Sequence, residues 1–175
     1  MNMNFAIGFQ CLELTFKPIA ILDVAFLFDA VSSADFPPDL ALAELKDLEE
    51  ARKWCEKRVV QWHEKQCFVW TCQRTCDNQA LGQVTLTVKG HDLILAYWIH
   101  PTFWGKGLAV KMCQSLITHL TEFGFRGSLF AAIHAWNVRS ESVLFKLGFE
   151  KMITKGQSNT DHQGEKQFQL KTMKP

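Results

Sequence analysis

The sequence has almost no excess of charge: nineteen Lys and Arg stand against eighteen Asp and Glu, a net +1 with His neutral. That balance excludes a global electrostatic grip on nucleic acid or an anionic membrane, so any anion bound here is held locally. Basic residues are also missing from the start of the chain, where Lys17 is the first. A secretory signal opens on positive charge, so none is read there. Long hydrophobic runs are absent too. Asp23 and Asp29 interrupt the apolar stretch 19–31, which is far short of a membrane span. A cytoplasmic location is expected, and the six cysteines then read as reduced thiols. His63, Cys67, Cys72 and Cys76 crowd together, but the C-x2-C knuckle of a structural zinc site is lacking, and no metal is expected.

What is present is the balance of a folded domain, with 47% apolar and 21% charged residues in a chain of 175. A chain of this length buries roughly 70% of the surface it exposes when unfolded. A single domain over residues 1–175 is expected. CLELTFKPI (11–19) alternates and ends near Pro18, predicting a first strand. Residues 20–31 predict a helix with Leu22, Ala25, Phe26 and Asp29 on one face, stopped by the prolines of SSADFPPD. Residues 44–65 predict a long amphipathic helix, with Leu48, Ala51, Cys55, Val59 and Trp62 at helical spacing.

CFVWTCQRT, a turn at CDNQ, and ALGQVTLTVKG predict a hairpin. In HDLILAYWIHP both alternating faces are apolar, predicting a strand covered on both sides. A helix follows from about Gly105 to Gly124, with Leu108, Met112, Leu116, Leu120 and Phe123 on one face. Next come a strand in GSLFAAIHAW and a helix in VRSESVLFKLG. Strand, helix, strand at this length is a right-handed crossover, which makes the two strands parallel. FEKMITKG and EKQFQLKTM are predicted as the last strands. The predicted class is α/β, a mixed sheet with helices on both faces.

The junction FWGKGLAVKM (103–112) leaves the apolar strand and enters the helix through two glycines. It fits no common phosphate motif. Val110 stands where the dinucleotide fingerprint needs its third glycine, and Gly107 stands where a P-loop needs Ser or Thr. Two readings stay open: a tight corner, or a helix N-terminus whose amides meet an anion once side chains are removed. Asn137, at the end of the next parallel strand, likewise reads as a helix N-cap, a partner for an amide-bearing ligand, or both. Carboxyl ends of adjacent parallel strands form the usual ligand crevice of such sheets.

Together, YWIHPTFWGKGLA and NVRSESVLFKLGF resemble the GNAT superfamily of acetyl-CoA-dependent N-acetyltransferases. More narrowly they resemble the branch that acetylates ribosomal-protein N-termini, which shares the aromatic-Trp-Gly-x-Gly-x-Ala turn and Asn-x-x-Ser ahead of Lys-Leu-Gly-Phe. LELTFKPI is similar to that branch's opening strand. The resemblance implies a mostly antiparallel sheet whose parallel pair splays apart after the strand ending at Trp98 and Ile99. Acetyl-CoA would lie in that gap, its pyrophosphate held by amides around Trp104, Gly105, Lys106, Gly107, Leu108 and Ala109. Asn137 would face the pantetheine arm and Lys146 the adenosine end. Many members place a Tyr acid seven residues after this Asn, where this chain has Leu144. In the ribosomal branch the proposed acid matches Ser140, whose other reading is a helix-surface residue.

The expected partners are acetyl-CoA and an amine, on a small molecule or a protein N-terminus, with the protein a monomer or homodimer. An α-amino group, with pKa near ~8, needs little help to lose its proton, whereas a lysine near ~10.4 needs a base. The branch's Glu has no counterpart around Asn159, which leaves His100, His134 and Glu165 as candidates, each of which reads more readily as a surface residue than as a base. Phe36, Trp54 and Trp62 are read as acceptor-site wall or core. The missing Tyr and base keep a non-catalytic acyl-CoA-binding module open as the alternative.

Overall fold

The computed structural model describes residues 3–152 and 164–171. A short hairpin, β1 (Phe9–Cys11) and β2 (Leu14–Pro18), opens the chain, where one strand was expected. Leu12 turns it with φ +54° and is almost fully exposed. A 3-10 turn over Ile21–Asp23 leads into α1 (Val24–Val31), and a second over Ala41–Glu44 precedes α2 (Leu48–His63). The 3-10 start rotates the helix away from the predicted face. Leu22 is 93% exposed, while Leu27, Ala30 and Val31 are buried. Asp47 caps α2 by accepting from the Glu50 amide at 2.8 Å, so that helix begins four residues later than predicted.

β3 (Cys67–Arg74) and β4 (Ala80–Lys89) form the expected hairpin, and β5 (Asp92–Ile99) extends it into an antiparallel meander. Then come α3 (Leu108–Glu122), β6 (Leu129–His134), α4 (Val138–Lys146), β7 (Glu150–Lys151) and β8 (Glu165–Leu170). The remainder of the predicted strand 149–156, and Asn159, lie outside the described residues. The eight strands form one sheet in the order β1-β2-β3-β4-β5-β6-β8-β7, with β5 and β6 parallel and the other pairs antiparallel.

Helices cover both faces. On one, Met112, Leu116 and Leu120 of α3 and Leu144 of α4 bury against Phe16, Phe68, Leu93, Leu95 and Phe168. On the other, Leu27 and Ala30 of α1 and Ala51 and Cys55 of α2 bury against Val69 and Trp98. Alternation along β5 sends Leu93, Leu95 and Ile99 to the first layer and Trp98 to the second. Ala96 departs from the expected two-sided cover: it is exposed, because the sheet opens beside it.

Candidate acyl-donor and acceptor cleft

The parallel pair is short. Leu93 aligns with Leu129 and Ile94 with Phe130, and there the ladder stops, although both strands run on by four or five residues. The Leu93 amide donates to the Ser128 carbonyl at 3.1 Å. Peptides of a strand point to alternate sides, and β5 stays in register with β4 without a bulge. On the β6 side the Leu95 N–H closes the last rung of the ladder at Phe130, so those of Tyr97 and Ile99 face the gap, while those of Ala96 and Trp98 pair with β4. Trp98, expected at the gap with Ile99, contributes its ring to the cleft and not its peptide.

The gap opens into a cleft of about 1120 Å³ that passes through the sheet. On the α3–α4 side it is lined by Tyr97, Gly105, Gly107, Leu108, Ala109, Asn137, Ser140, Leu144 and Lys146. On the α1–α2 side it is lined by Phe36, Pro37, Leu40, Ala96, Trp98, Ala132, His134 and Glu165. Ten of the eleven predicted site residues line this one space. Lys106 is the exception: its ammonium lies 5.3 Å over the Phe103 ring.

The glycine turn is shaped by backbone geometry and not by packing. Gly105 and Gly107 have φ of +76° and +70°, a region in which L side chains are strained, and a Cβ at either would meet no protein atom. Gly107 is the N-cap of α3 and supplies no side-chain acceptor. The first helical amide with a partner is that of Lys111, bonded to the Gly107 carbonyl at 3.2 Å. The amides of Leu108, Ala109 and Val110 are thus presented outward at the positive end of the helix.

Trp104 ties this turn to the strand. Its indole Nε1 donates to the Ile99 carbonyl at 2.7 Å, and its own amide donates to Pro101 at 3.1 Å. Both N–H groups are committed, so Trp104 orders the turn and has no amide left for a ligand. The Arg139 guanidinium sits 4.9 Å from the Trp104 ring and joins the lining, a cation that sequence reasoning passed over because nothing in NVRS points toward Trp104.

Asn137 is the N-cap of α4, its Oδ1 accepting from the Ser140 amide at 3.1 Å. The cap uses the oxygen and leaves Nδ2 as a donor on the cleft wall. Ser140 is fixed a second time by the Tyr97 hydroxyl, which donates to its carbonyl at 3.5 Å. Burial raises the Tyr97 phenol well above its ordinary value, so it stays protonated. Leu144 is fully buried between α4 and the sheet.

His100 does not belong to the lining. Its Nδ1 accepts from the Thr102 amide at 3.3 Å and its Nε2 donates to Asp29 Oδ2 at 2.9 Å, so both ring nitrogens are committed to a clip between α1 and the end of β5. Phe36 answers to both of its readings, buried in the core and lining the cleft, with its ring 6.4 Å from Trp98. Trp54 instead packs beneath Arg58, and Trp62 against Phe68 and Trp70. Among the described residues no three His, Cys, Asp or Glu side chains gather as a metal site, and no helix is long and apolar enough to cross a membrane.

A mixed sheet whose parallel pair parts beside a left-handed glycine turn defines an α/β protein with a ligand cleft at the carboxyl ends of its strands. The acetyltransferase (GNAT) domain model matches residues 13–150, and the chain belongs to that family of acetyltransferases. A search of curated proteins finds no match. Among solved structures, a Salmonella typhimurium acetyltransferase described as modifying the N-terminal serine of ribosomal protein L7/L12 superposes with TM-score 0.72 at 17% identity, covering 91% of this chain and 95% of its own. RimL, a ribosomal L7/L12 α-N-protein acetyltransferase in complex with coenzyme A, gives 0.75 at 15%, covering 91% and 94%. MccE, a microcin C7 self-immunity acetyltransferase in complex with acetyl-CoA and AMP, gives 0.70 at 12%, covering 90% and 92%. At these identities the likeness establishes the shared fold.

Proposed function

We propose that this protein, as a single acetyltransferase domain, moves an acetyl group from acetyl-CoA to a primary amine by direct attack of the amine on the thioester. The observation that carries the reading is the parting of β5 and β6 beside a helix start with no side-chain cap. Gap-facing peptides at Tyr97 and Ile99 fit the repeated amides of a pantetheine arm. The amides of Gly105, Lys106, Gly107, Leu108 and Ala109 fit a pyrophosphate. Lys146 lies farther along α4, on the side of the adenosine, and the Asn137 Nδ2 donor faces the arm.

When bound, acetyl-CoA supplies an activated acyl carbon. The Ile99 N–H polarises its carbonyl, a donor fixed in place before charge develops there. Ser140 lines the cleft, and its hydroxyl serves in this reading as the acid that protonates the leaving thiolate. The solved relatives that carry CoA or acetyl-CoA support the donor, and those described as ribosomal-protein acetyltransferases support an α-amino acceptor.

The buried Leu144, at the position where a Tyr acid is common in the superfamily, favours a second reading, a non-catalytic acyl-CoA-binding module. One experiment separates the two. Acetyl-CoA is expected to raise the melting temperature of the full chain, and free thiol is expected to appear with at least one member of a panel of amines and peptides. Stabilisation without thiol release supports the binding module, and no stabilisation rejects both readings.

A further inference from the structure

The α1–α2 side of the cleft has its own chemistry. His134 ends β6 and Glu165 begins β8, and they are directly opposed in the antiparallel ladder. Opposed residues share a sheet face with Cβ atoms about 4.5–5.5 Å apart. Both belong to the cleft lining, and neither side chain has a hydrogen bond or ion pair to another described residue. The face is fixed by register. Leu129 lies with Leu93 toward α3, so Phe130, Ala132 and His134 point toward α1 and α2, where Trp98 also points.

The rest of that side is apolar: Phe36, Pro37 and Leu40 from the loop after α1, and Ala96 and Trp98 from β5. Trp136 stacks on the His134 ring with centroids 5.6 Å apart and planes 7° apart, and is 43% exposed at the rim. The other charged residues of the lining, Arg139 and Lys146, belong to α4 on the opposite side of the sheet. Lys166, next to Glu165, points the other way and is paired with Glu141 of α4 at 2.7 Å. One exposed carboxylate and one half-buried imidazole thus line an apolar chamber on which, among the described residues, no cation lies. Such a chamber attracts an ammonium group and provides a base to deprotonate it.

We propose that His134 and Glu165 receive the acceptor, and that the acceptor is a primary amine carried next to an apolar group. This rests on the acetyl-transfer reading of the cleft. Glu165 draws in the ammonium, and Trp136, stacked on the imidazole ring, holds His134. His134 takes one proton from the ammonium. The freed nitrogen lone pair attacks the thioester carbon, the C–N bond forms, and the C–S bond breaks as the tetrahedral adduct collapses. The thiolate leaves and takes up the Ser140 hydroxyl proton, the second amine proton restores the hydroxyl, and His134 returns its proton to solvent. The sum is amide, free thiol and one proton from ammonium and thioester.

The test uses the full chain with acetyl-CoA and four amines: phenethylamine, a tripeptide beginning with Leu, a tripeptide beginning with Asp, and spermidine. The first two are expected to exceed the last two by about tenfold or more in kcat/KM, the scale of one well-filled apolar pocket. Preference between phenethylamine and the Leu peptide distinguishes a small amine from a polypeptide. Glu165→Gln is expected to raise KM for amine, and His134→Gln to lower kcat by about a hundredfold and remove the acid limb of the pH–rate profile. Acetyl-CoA affinity is expected to stay within twofold in both variants.

Unchanged amine kinetics and an unchanged pH–rate profile in the two variants overturn the proposal. So does acetyl-CoA binding with no amine turned over, an outcome that leaves the donor site standing. Loss of acetyl-CoA binding by the unaltered protein strikes instead at the reading beneath it.

Discussion

Gly105 and Gly107 turn the chain with positive φ in open space, so a methyl group there costs conformational energy without a clash. Gly107→Ala is expected to destabilise the fold by about 1–2 kcal/mol, the strain of one residue in the left-handed region. It is also expected to weaken acetyl-CoA binding by more than that strain explains, since the new Cβ projects beside outward-facing amides. Calorimetric titration beside a thermal melt measures the two effects separately. The glycines were legible as a pair in the sequence. Their reason was not, because a corner that packs tightly and a turn that faces a ligand are written with the same residues. Trp104 shows the same limit. Its indole bond to Ile99 crosses five residues of chain, and nothing in the composition of FWGKG announces it.

At the scale of elements, α4 begins at a residue with two possible duties, and substitution separates them. Asn137→Ser keeps a capping oxygen, so helix stability is expected to hold, whereas Asn137→Ala is expected to cost about 1 kcal/mol. Loss of acetyl-CoA affinity in Asn137→Ser, with an unchanged melt, assigns the Nδ2 donor to the ligand. In α3, His119 is buried and its Nε2 donates to the Phe5 carbonyl at 2.8 Å, with the Phe9 ring stacked 3.8 Å away. Burial holds this imidazole below its ordinary 6.5, while the bond to Phe5 opposes the shift. The unfolded chain therefore takes up the proton first. The contribution is intact above about pH 6.5 and is lost as pH falls from there toward the folded-state value. His119→Gln is expected to flatten that part of the curve of melting temperature against pH.

For the molecule as a whole, two layers close over one sheet and leave most thiols inside. Burial pushes Cys55 and Cys72 up to about 12 and raises Cys113 as well, while Cys67 is buried, Cys11 half-buried and Cys76 exposed. Alkylation of the native protein near neutral pH, read by mass spectrometry, is expected to mark Cys76 and Cys11 and spare the other four until unfolding. The close approach of β4 to β5 is equally global. A methyl at Gly82 would collide with the Trp98 carbonyl, so Gly82→Ala is expected to shift the end of β5 and with it both sides of the cleft. A lower melting temperature and weaker acetyl-CoA binding together would register that shift.

The sequence by itself determined the order of elements from β3 to α4, the crossover that makes β5 and β6 parallel, and the two segments that border the cleft. It could do so because periodicity, glycine positions and cap residues act over a few residues of local chain. The opening hairpin escaped it, since Leu12 gives no sign of a left-handed turn in an apolar, alternating stretch. Tertiary structure alone decided where β5 and β6 separate, that Trp98 gives a ring and Tyr97 a peptide to the gap, and that His100 is spent on Asp29. It also set His134 opposite Glu165, thirty-one positions apart in the chain. Such pairings depend on register and strand twist, which are fixed by the packing of both layers at once and leave no mark on any one segment.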